Sequence, residues 1–253
     1  MVKMIMHGCN GAMGRTITEL VNDMDGIVIV AGIDPGQGSQ VNYPVFASLE
    51  ACDVEADVIV DFASAKAVDH LLDYCADHRM PLVLCTTGLS EIQLQKVSEV
   101  SKKTAVLRSA NMSLGVNTLM KLLQDAAKVL AGAGFDVEIV EKHHNQKLDA
   151  PSGTALALAD SINGAMGNQY HYKYDRSTER AKRDQKEIGI SAVRGGSIVG
   201  EHEVIFAGKD EVVTFTHTAY SKAIFAKGAL EAALFLAGKE PGLYNMADVI
   251  DAV

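Results

Sequence analysis

Residues 2–21 constrain the fold more than any other stretch. Val2–His7 (V-K-M-I-M-H) has the composition of a short apolar strand, Gly8-Cys9-Asn10-Gly11-Ala12-Met13-Gly14 follows at once, and Arg15–Val21 continues as an amphipathic helix. Strand, glycine turn and helix in this order form the context of a dinucleotide fingerprint. The glycines allow a tight turn and a close backbone approach to a pyrophosphate, and the helix start offers free N–H groups. The spacing is G-x-x-G-x-x-G, with Asn10 where the usual motif has its second glycine. By itself such a pattern also marks an ordinary tight turn. Two further features stand in register with it: Ile27–Ile33 reads as a second buried strand, and Asp34 closes it. An acid there is placed to accept hydrogen bonds from an adenosine ribose. Together the three features predict a nucleotide-binding unit.

More α/β units follow. Val58–Phe62, Leu82–Cys85 and Ala105–Leu107 read as strands, with Ala65–His78 and Glu91–Lys102 as the helices between them. Parallel strands present their carboxyl ends to the ligand crevice, so Asp61–Ser64, Cys85-Thr86-Thr87-Gly88 and Ser109–Met112 should line the cofactor. Thr86 and Thr87 also suit ordinary helix capping ahead of Ser90 and Glu91, and both readings can hold together.

After Asn111 the pattern changes. Leu114–Ala131 predicts one long helix, and a polar stretch, Asn163–Gln185, shows little periodicity. Glu187–Val193, Val199–Ala207 and Val212–Thr218 are β-runs without helices between them, with Arg194-Gly195-Gly196 and Gly208-Lys209-Asp210 as expected hairpin turns. Ala223–Leu236 is a helix too late for this sheet and is expected to complete the first domain. The expected class is therefore α/β: a Rossmann-type parallel-sheet dinucleotide-binding domain (1–112 and 223–253), plus an α+β substrate and oligomerisation domain (113–222) with an open, mainly antiparallel sheet. Exposed sheet edges and an uncovered face predict burial against other copies.

The chemistry concentrates in Glu141–Leu156, E-K-H-H-N-Q-K-L-D-A-P-S-G-T-A-L. It lies between the alternating strand Phe135–Val140 and an alanine- and leucine-rich helix, Thr154–Ile162. If the strand runs through them, His143 and His144 point to opposite faces, which disfavours a shared metal and favours split roles, one handling a proton and one a substrate oxygen. Lys147 shares the side of His143 if the chain makes one helical turn. Asp149-Ala150-Pro151-Ser152 reads as a helix entrance, so the N–H groups of Gly153 and Thr154 offer an anion site. Two imidazoles, an ammonium and a helix start suit a small, multiply charged acid. Isolated residues of these types are more often solvated loop residues; their combination with the Pro-Ser-Gly-Thr entrance points to function.

A formal net charge of −9 over 253 residues supplies no basic field for nucleic acid. Cys9, Cys52, Cys75 and Cys85 show no Cys-x-x-Cys spacing and suit thiols of a reducing compartment. Met1–Met6 runs straight into the glycine turn, with no sign of a signal peptide, and no apolar run reaches membrane length. A cytoplasmic protein without membrane or nucleic-acid partners, and without a metal, is expected.

With the motifs placed, the chain resembles the 4-hydroxy-tetrahydrodipicolinate reductase family of bacterial lysine biosynthesis, long called dihydrodipicolinate reductases. The resemblance rests on G-C-N-G-A-M-G-R at the start, C-T-T-G at 85–88, E-K-H-H-N-Q-K-L-D-A-P-S-G-T-A at the centre, R-G-G-S-I-V-G-E-H at 194–202 and A-G-K-E-P-G-L-Y-N-M at 237–246. It implies His143 as proton donor and acceptor, Lys147 as second proton donor, and His144, Ser152, Gly153, Thr154 and Lys222 as the substrate-binding residues. It places the nicotinamide cofactor against Gly8, Cys9, Asn10, Gly11, Ala12, Met13, Asp34, Cys85, Thr86, Thr87, Ser109, Ala110, Asn111 and Met112. It also implies a homotetramer joined through the second domain's sheet. Cys85 stands where glycine is common, Ser109-Ala110-Asn111 replaces Ala-Pro-Asn, and Lys222 stands where arginine often clamps a carboxylate. The implied reaction is reduction of a cyclic imine dicarboxylate with NADH or NADPH. Asp34-Pro35-Gly36-Gln37 carries no cation to pair with a 2′-phosphate, so NADH should serve at least as well as NADPH. Another two-domain dehydrogenase of amino or hydroxy acids, or a non-catalytic dinucleotide sensor, are the competing readings.

Overall fold

The computed structural model describes residues 1–36 and 41–252; Gln37 and Val253, both used in the sequence reading, lie outside the described residues. In chain order the elements are β1 (Val2–His7), α1 (Ala12–Val21), β2 (Ile27–Ile33), β3 (Val45–Phe46), β4 (Val58–Asp61), α2 (Val68–His78), β5 (Leu82–Leu84), α3 (Glu91–Val100), β6 (Ala105–Arg108), α4 (Leu114–Leu130), β7 (Asp136–His143), α5 (Gly153–Ala165), β8 (His171–Lys173), β9 (Glu187–Arg194), β10 (Gly200–Ala207), β11 (Val212–Ala219), α6 (Ala223–Leu236), β12 (Gly242–Tyr244) and α7 (Met246–Asp251). They form two compact units, Met1–Leu114 with Lys222–Val253, and Gly115–Ser221.

In the first unit seven strands pair in the order β12-β6-β5-β4-β1-β2-β3, every pairing parallel. Alternate side chains feed two cores. Met4, Met6, Val58, Val60 and Val83 join residues of α1, α6 and α7 in one core, while Ile5, Ile59, Leu82 and Leu84 join residues of α2 and α3 in the other. Burial on both faces is why these strands read as continuous apolar runs. The helix α6 completes the first core, and Gly228 sets how closely it can approach: a Cβ there would stand 1.7 Å from the Met112 carbonyl oxygen. The sequence reading missed β3 and β12. They are two and three residues long and lie at the two edges, too short to display a period.

The second unit is a five-stranded sheet in the order β11-β10-β7-β9-β8. Val137, Ile139, Ile188, Ile190, Val204 and Phe206 share one face and pack with Leu119, Leu123 and Ala127 of α4 and Ala155, Leu158 and Ile162 of α5. The sheet is mixed: β10 pairs antiparallel with β11 and β7, but β9 pairs parallel with β7 and β8. Gly208-Lys209-Asp210 does close a hairpin, with the Gly208 N–H donating to the Glu211 carbonyl at 2.8 Å. Arg194-Gly195-Gly196 does not. The strand β7 lies between β9 and β10, so this segment crosses the end of β7, where Gly195 N–H donates to the His143 carbonyl at 3.0 Å. The sequence shows two β-runs and a glycine turn; the inserted strand comes from earlier in the chain. The polar stretch 163–185 also holds the end of α5 and the edge strand β8, a strand too short and charged to show a pattern.

Candidate active site

In the first unit, strands β2, β1, β4 and β5 lie side by side and parallel, so their carboxyl ends meet. Asp61, the wholly buried last residue of β4, ties three of these ends together. Its Oδ1 accepts from His7 Nδ1 at 2.7 Å and Ala63 N–H at 3.1 Å, and its Oδ2 accepts from the Thr86 hydroxyl at 2.6 Å. Helix α3 is capped by Ser90 in a capping box with Gln93, so capping is not the task of Thr86. Gly8 adopts φ +82°, and a Cβ on it would lie 2.9 Å from the Ala63 backbone; only glycine fits. Helix α1 starts at Gly11 with no side-chain cap and no acid in its first turn, an arrangement open to an anion. Asp34 Oδ2 accepts from the Asn10 N–H at 3.1 Å and Oδ1 from the Gly36 N–H at 2.9 Å, while Asn10 Nδ2 donates to the Gly36 carbonyl at 2.8 Å. Asn10, in place of the usual glycine, therefore binds the glycine turn to the chain after β2. These features together fit a dinucleotide: a turn stripped of side chains, an uncapped helix start, and a carboxylate at the end of β2.

The remaining candidates of this unit divide by burial. Gly11, Ala12, Thr87 and Ala110 are exposed, and Met13 and Ser109 half-buried. The Asn111 side chain accepts the Ser113 N–H at 2.8 Å. Cys9 and Met112 sit in the core at 0% and 5% exposure, which leaves them only main-chain atoms to offer a ligand. Burial pushes the Cys9 thiol up to about 11 and the Cys85 thiol well above its ordinary value, so neither is a thiolate. Lys222 is exposed at the N-cap of α6.

In the second unit the core face of β7 runs Val137, Ile139, Glu141, His143. Glu141 is wholly buried and forms a bidentate pair with Arg194 of β9, at 2.6 and 2.7 Å. It also meets His143 Nδ1 at 2.6 Å and the Ser152 N–H at 3.0 Å. Burial pushes its carboxyl up, but hydrogen bonds from Arg194, His143 and Ser152 outweigh that and hold it below the ordinary value. Ser152 is buried at the N-cap of α5; its hydroxyl accepts the Ala155 N–H at 3.1 Å and meets His202 Nε2 at 2.8 Å. The His143 and His202 rings stand edge to face, 5.1 Å apart.

Beyond His143 the strand stops. The chain turns, with the Lys147 N–H donating to the His144 carbonyl at 3.2 Å, and His144 is exposed. Lys147 Nζ lies 2.8 Å from Asp149 Oδ1. The Lys147 hydrogen bond, helped by the Gly153 N–H, holds the Asp149 carboxyl below its ordinary range. The Lys147 ammonium thus already grips a carboxylate, one supplied by the chain itself. Gly153 is exposed, and a Cβ on it would meet nothing within 4 Å.

Two family models cover nearly the whole chain: dihydrodipicolinate reductase, N-terminus, matches residues 2–112, and dihydrodipicolinate reductase, C-terminus, matches 115–250. The chain belongs to the dihydrodipicolinate reductase family. It is 50% identical over 250 residues to the 4-hydroxy-tetrahydrodipicolinate reductase of Caldanaerobacter subterraneus subsp. tengcongensis, covering 99% of this chain and 98% of that one. The enzyme of the same name from Clostridium novyi (strain NT) gives the same figures. A solved dihydrodipicolinate reductase from Paenisporosarcina sp. TG-14, with dipicolinate bound, superposes with a TM-score of 0.81 at 25% identity, over 97% of each chain. A probable dehydrogenase from Thermotoga maritima shares the fold alone, with a TM-score of 0.64 at 12% identity over 99% of this chain and 93% of that one.

For this member of the reductase family the sequence reading passed over His7, Glu141, Arg194 and His202. Glu141 left a signal: it continues the apolar face Val137, Ile139 and stands two residues before His143, so strand period 2 puts an acid on the buried face beside that ring. Arg194 opens the R-G-G-S-I-V-G-E-H motif, but nothing in that motif marks it as the partner of an acid, because only the parallel pairing of β9 with β7 sets it opposite His143.

Proposed function

We propose that this reductase converts 4-hydroxy-tetrahydrodipicolinate, by way of dihydrodipicolinate, to tetrahydrodipicolinate in the diaminopimelate route to lysine. The observation that carries the reading is the Asp149 carboxylate held by Lys147 at the approach to α5, in the segment that follows a histidine anchored on a buried acid. A site that grips a carboxylate in this way suits a substrate carboxylate. Bound NADH or NADPH supplies the hydride. His143 delivers a proton to the ring as it becomes electron-rich, and Lys147 stabilises the developing charge and serves as second donor. His144, Gly153, Thr154 and Lys222 hold the substrate carboxylates, which fixes the ring's orientation. Ser152 serves by holding the helix start, since its hydroxyl is bound to His202 and Ala155.

Residues 1–112 with 223–253 form the dinucleotide-binding domain in this reading, and 113–222 the substrate and tetramerisation domain. The cofactor rests on Gly8–Met13, Asp34, Cys85–Thr87 and Ser109–Met112. NADH serves at least as well as NADPH, because Asp34 has no ion-pair partner among the described residues and repels a 2′-phosphate. Both helices of the second unit pack on one face of its sheet, and Val193 and Val212 are 43% and 62% exposed, which favours a homotetramer joined through residues 187–218. Four free thiols suit the cytoplasm, and among the described residues no helix is long and apolar enough to cross a membrane.

The test follows NADH loss with freshly generated 4-hydroxy-tetrahydrodipicolinate. His143→Gln should lower kcat on the order of 100-fold while changing KM far less, as expected for a group acting in the transition state. Full turnover by that variant would remove His143 from the chemistry.

A further inference from the structure

A buried carboxylate is tolerated only where its lone pairs are occupied. Glu141, wholly buried on the core face of β7, meets four donors. Oε1 accepts from Arg194 Nη2 at 2.6 Å and the Ser152 N–H at 3.0 Å, and Oε2 accepts from Arg194 Nη1 at 2.7 Å and His143 Nδ1 at 2.6 Å. The guanidinium is fixed in turn, by the Asp149 carbonyl at 2.6 Å and the Val193 carbonyl at 2.8 Å. An ionised carboxylate accepts and never donates, so the His143 nitrogen that faces it carries a hydrogen. In the neutral ring this leaves Nε2 as the basic nitrogen. Nε2 lies on the side of Gly200, where a Cβ would come within 3.2 Å of it, so a residue without a side chain keeps that nitrogen clear.

We propose that Glu141, held by Arg194, is a positioning residue for the reaction: it keeps a hydrogen on His143 Nδ1, so that Nε2 is the nitrogen that takes up a proton from water, making the ring an imidazolium, and hands that proton to substrate. Through its other oxygen the same carboxylate holds Ser152, the residue that opens α5. One buried acid therefore couples the proton-transfer ring to the helix start that receives the substrate carboxylate. Arg194 makes this possible by offsetting the cost of keeping the acid ionised away from water. The inference rests on the reading of His143 as the proton-transfer group.

The first test uses the native enzyme and needs no change to Glu141: long-range ¹H–¹⁵N NMR of the neutral imidazoles, with the His143 signals assigned from His143→Gln. The expected result is the Nδ1–H tautomer, and an Nε2–H ring overturns the proposal even if His143→Gln is inactive. An active His143→Gln would instead sink the catalytic reading while leaving the tautomer result intact, so the two failures are distinguishable. The second test is Glu141→Gln, whose amide can present either an acceptor or a donor to the ring. The tautomers should mix, and kcat should fall about 10- to 100-fold with KM changed much less. A folded Glu141→Gln enzyme with an unmixed tautomer and native kcat overturns the proposal, since a merely structural acid would give that result. If the variant does not fold, the native tautomer decides the matter alone.

Discussion

Acidification should destabilise the second unit chiefly through His202. The residue is 4% exposed, and burial, followed by electrostatic repulsion from the neighbouring His143, lowers its pKa from 6.5 to about 4; Glu141 pulls the other way, and His217 and Lys147 add to the lowering. Because the folded value lies below the unfolded one, the unfolded chain takes up this proton first as pH falls. The stability tied to the neutral ring is therefore complete above pH 6.5 and is lost progressively toward pH 4. The difference of about 2.5 units corresponds to roughly 3 kcal/mol at ~1.4 kcal/mol per unit. His217, also lowered by burial, acts in the same direction. Glu141 acts in a separate window: its pKa is lowered from 4.5, so its contribution is lost only below that pH. Urea unfolding between pH 7 and 4.5 isolates the histidine. The chain has no tryptophan, so far-UV circular dichroism is the suitable signal. His202→Gln should remove most of the acid-side slope. Equal slopes in wild type and variant, or an NMR titration of His202 centred above pH 6, would refute the reasoning.

Gly228→Ala drives a Cβ to 1.7 Å from the Met112 carbonyl oxygen, and backbone cannot yield as a side chain would. A loss of about 3 kcal/mol or more should appear as a lower Tm, and an unchanged Tm would refute this packing. Gly153→Ala is its counterpart: with nothing within 4 Å of the new Cβ, stability should stay within about 0.5 kcal/mol while KM for the dicarboxylate rises. Thr86→Val keeps the shape but deprives buried Asp61 Oδ2 of its donor, so unfolding should come about 1–3 kcal/mol sooner; an unchanged urea midpoint would contradict the bond. Asp34→Asn should raise kcat/KM with NADPH relative to NADH several-fold, since the repulsion removed is on the order of 1 kcal/mol in a solvated site. A wild-type enzyme favouring NADPH tenfold would show that Asp34 does not meet the ribose.

The sequence alone determined what depends on local pattern. Val2–Gly14 and Asp34 marked a dinucleotide turn because strand, glycine and helix signals are written in consecutive residues. The same held for the head of α5, where Ser152 caps the helix directly after proline. Period-2 alternation in β7 was also visible, and carrying it two residues further would have exposed Glu141. Tertiary structure decided everything that depends on which strand lies beside which. Pairing partners are chosen by the packing of whole elements, so nothing near Arg194 in the sequence announces that β9 runs parallel to β7 and delivers a guanidinium to Glu141. For the same reason the glycine turn after Arg194 looked like a hairpin, although a strand formed fifty residues earlier lies between its two arms. Thr86 shows the rule at a single side chain. Its hydroxyl could cap a helix or bind an acid, and only the adjacency of β5 and β4 made Asp61 its partner.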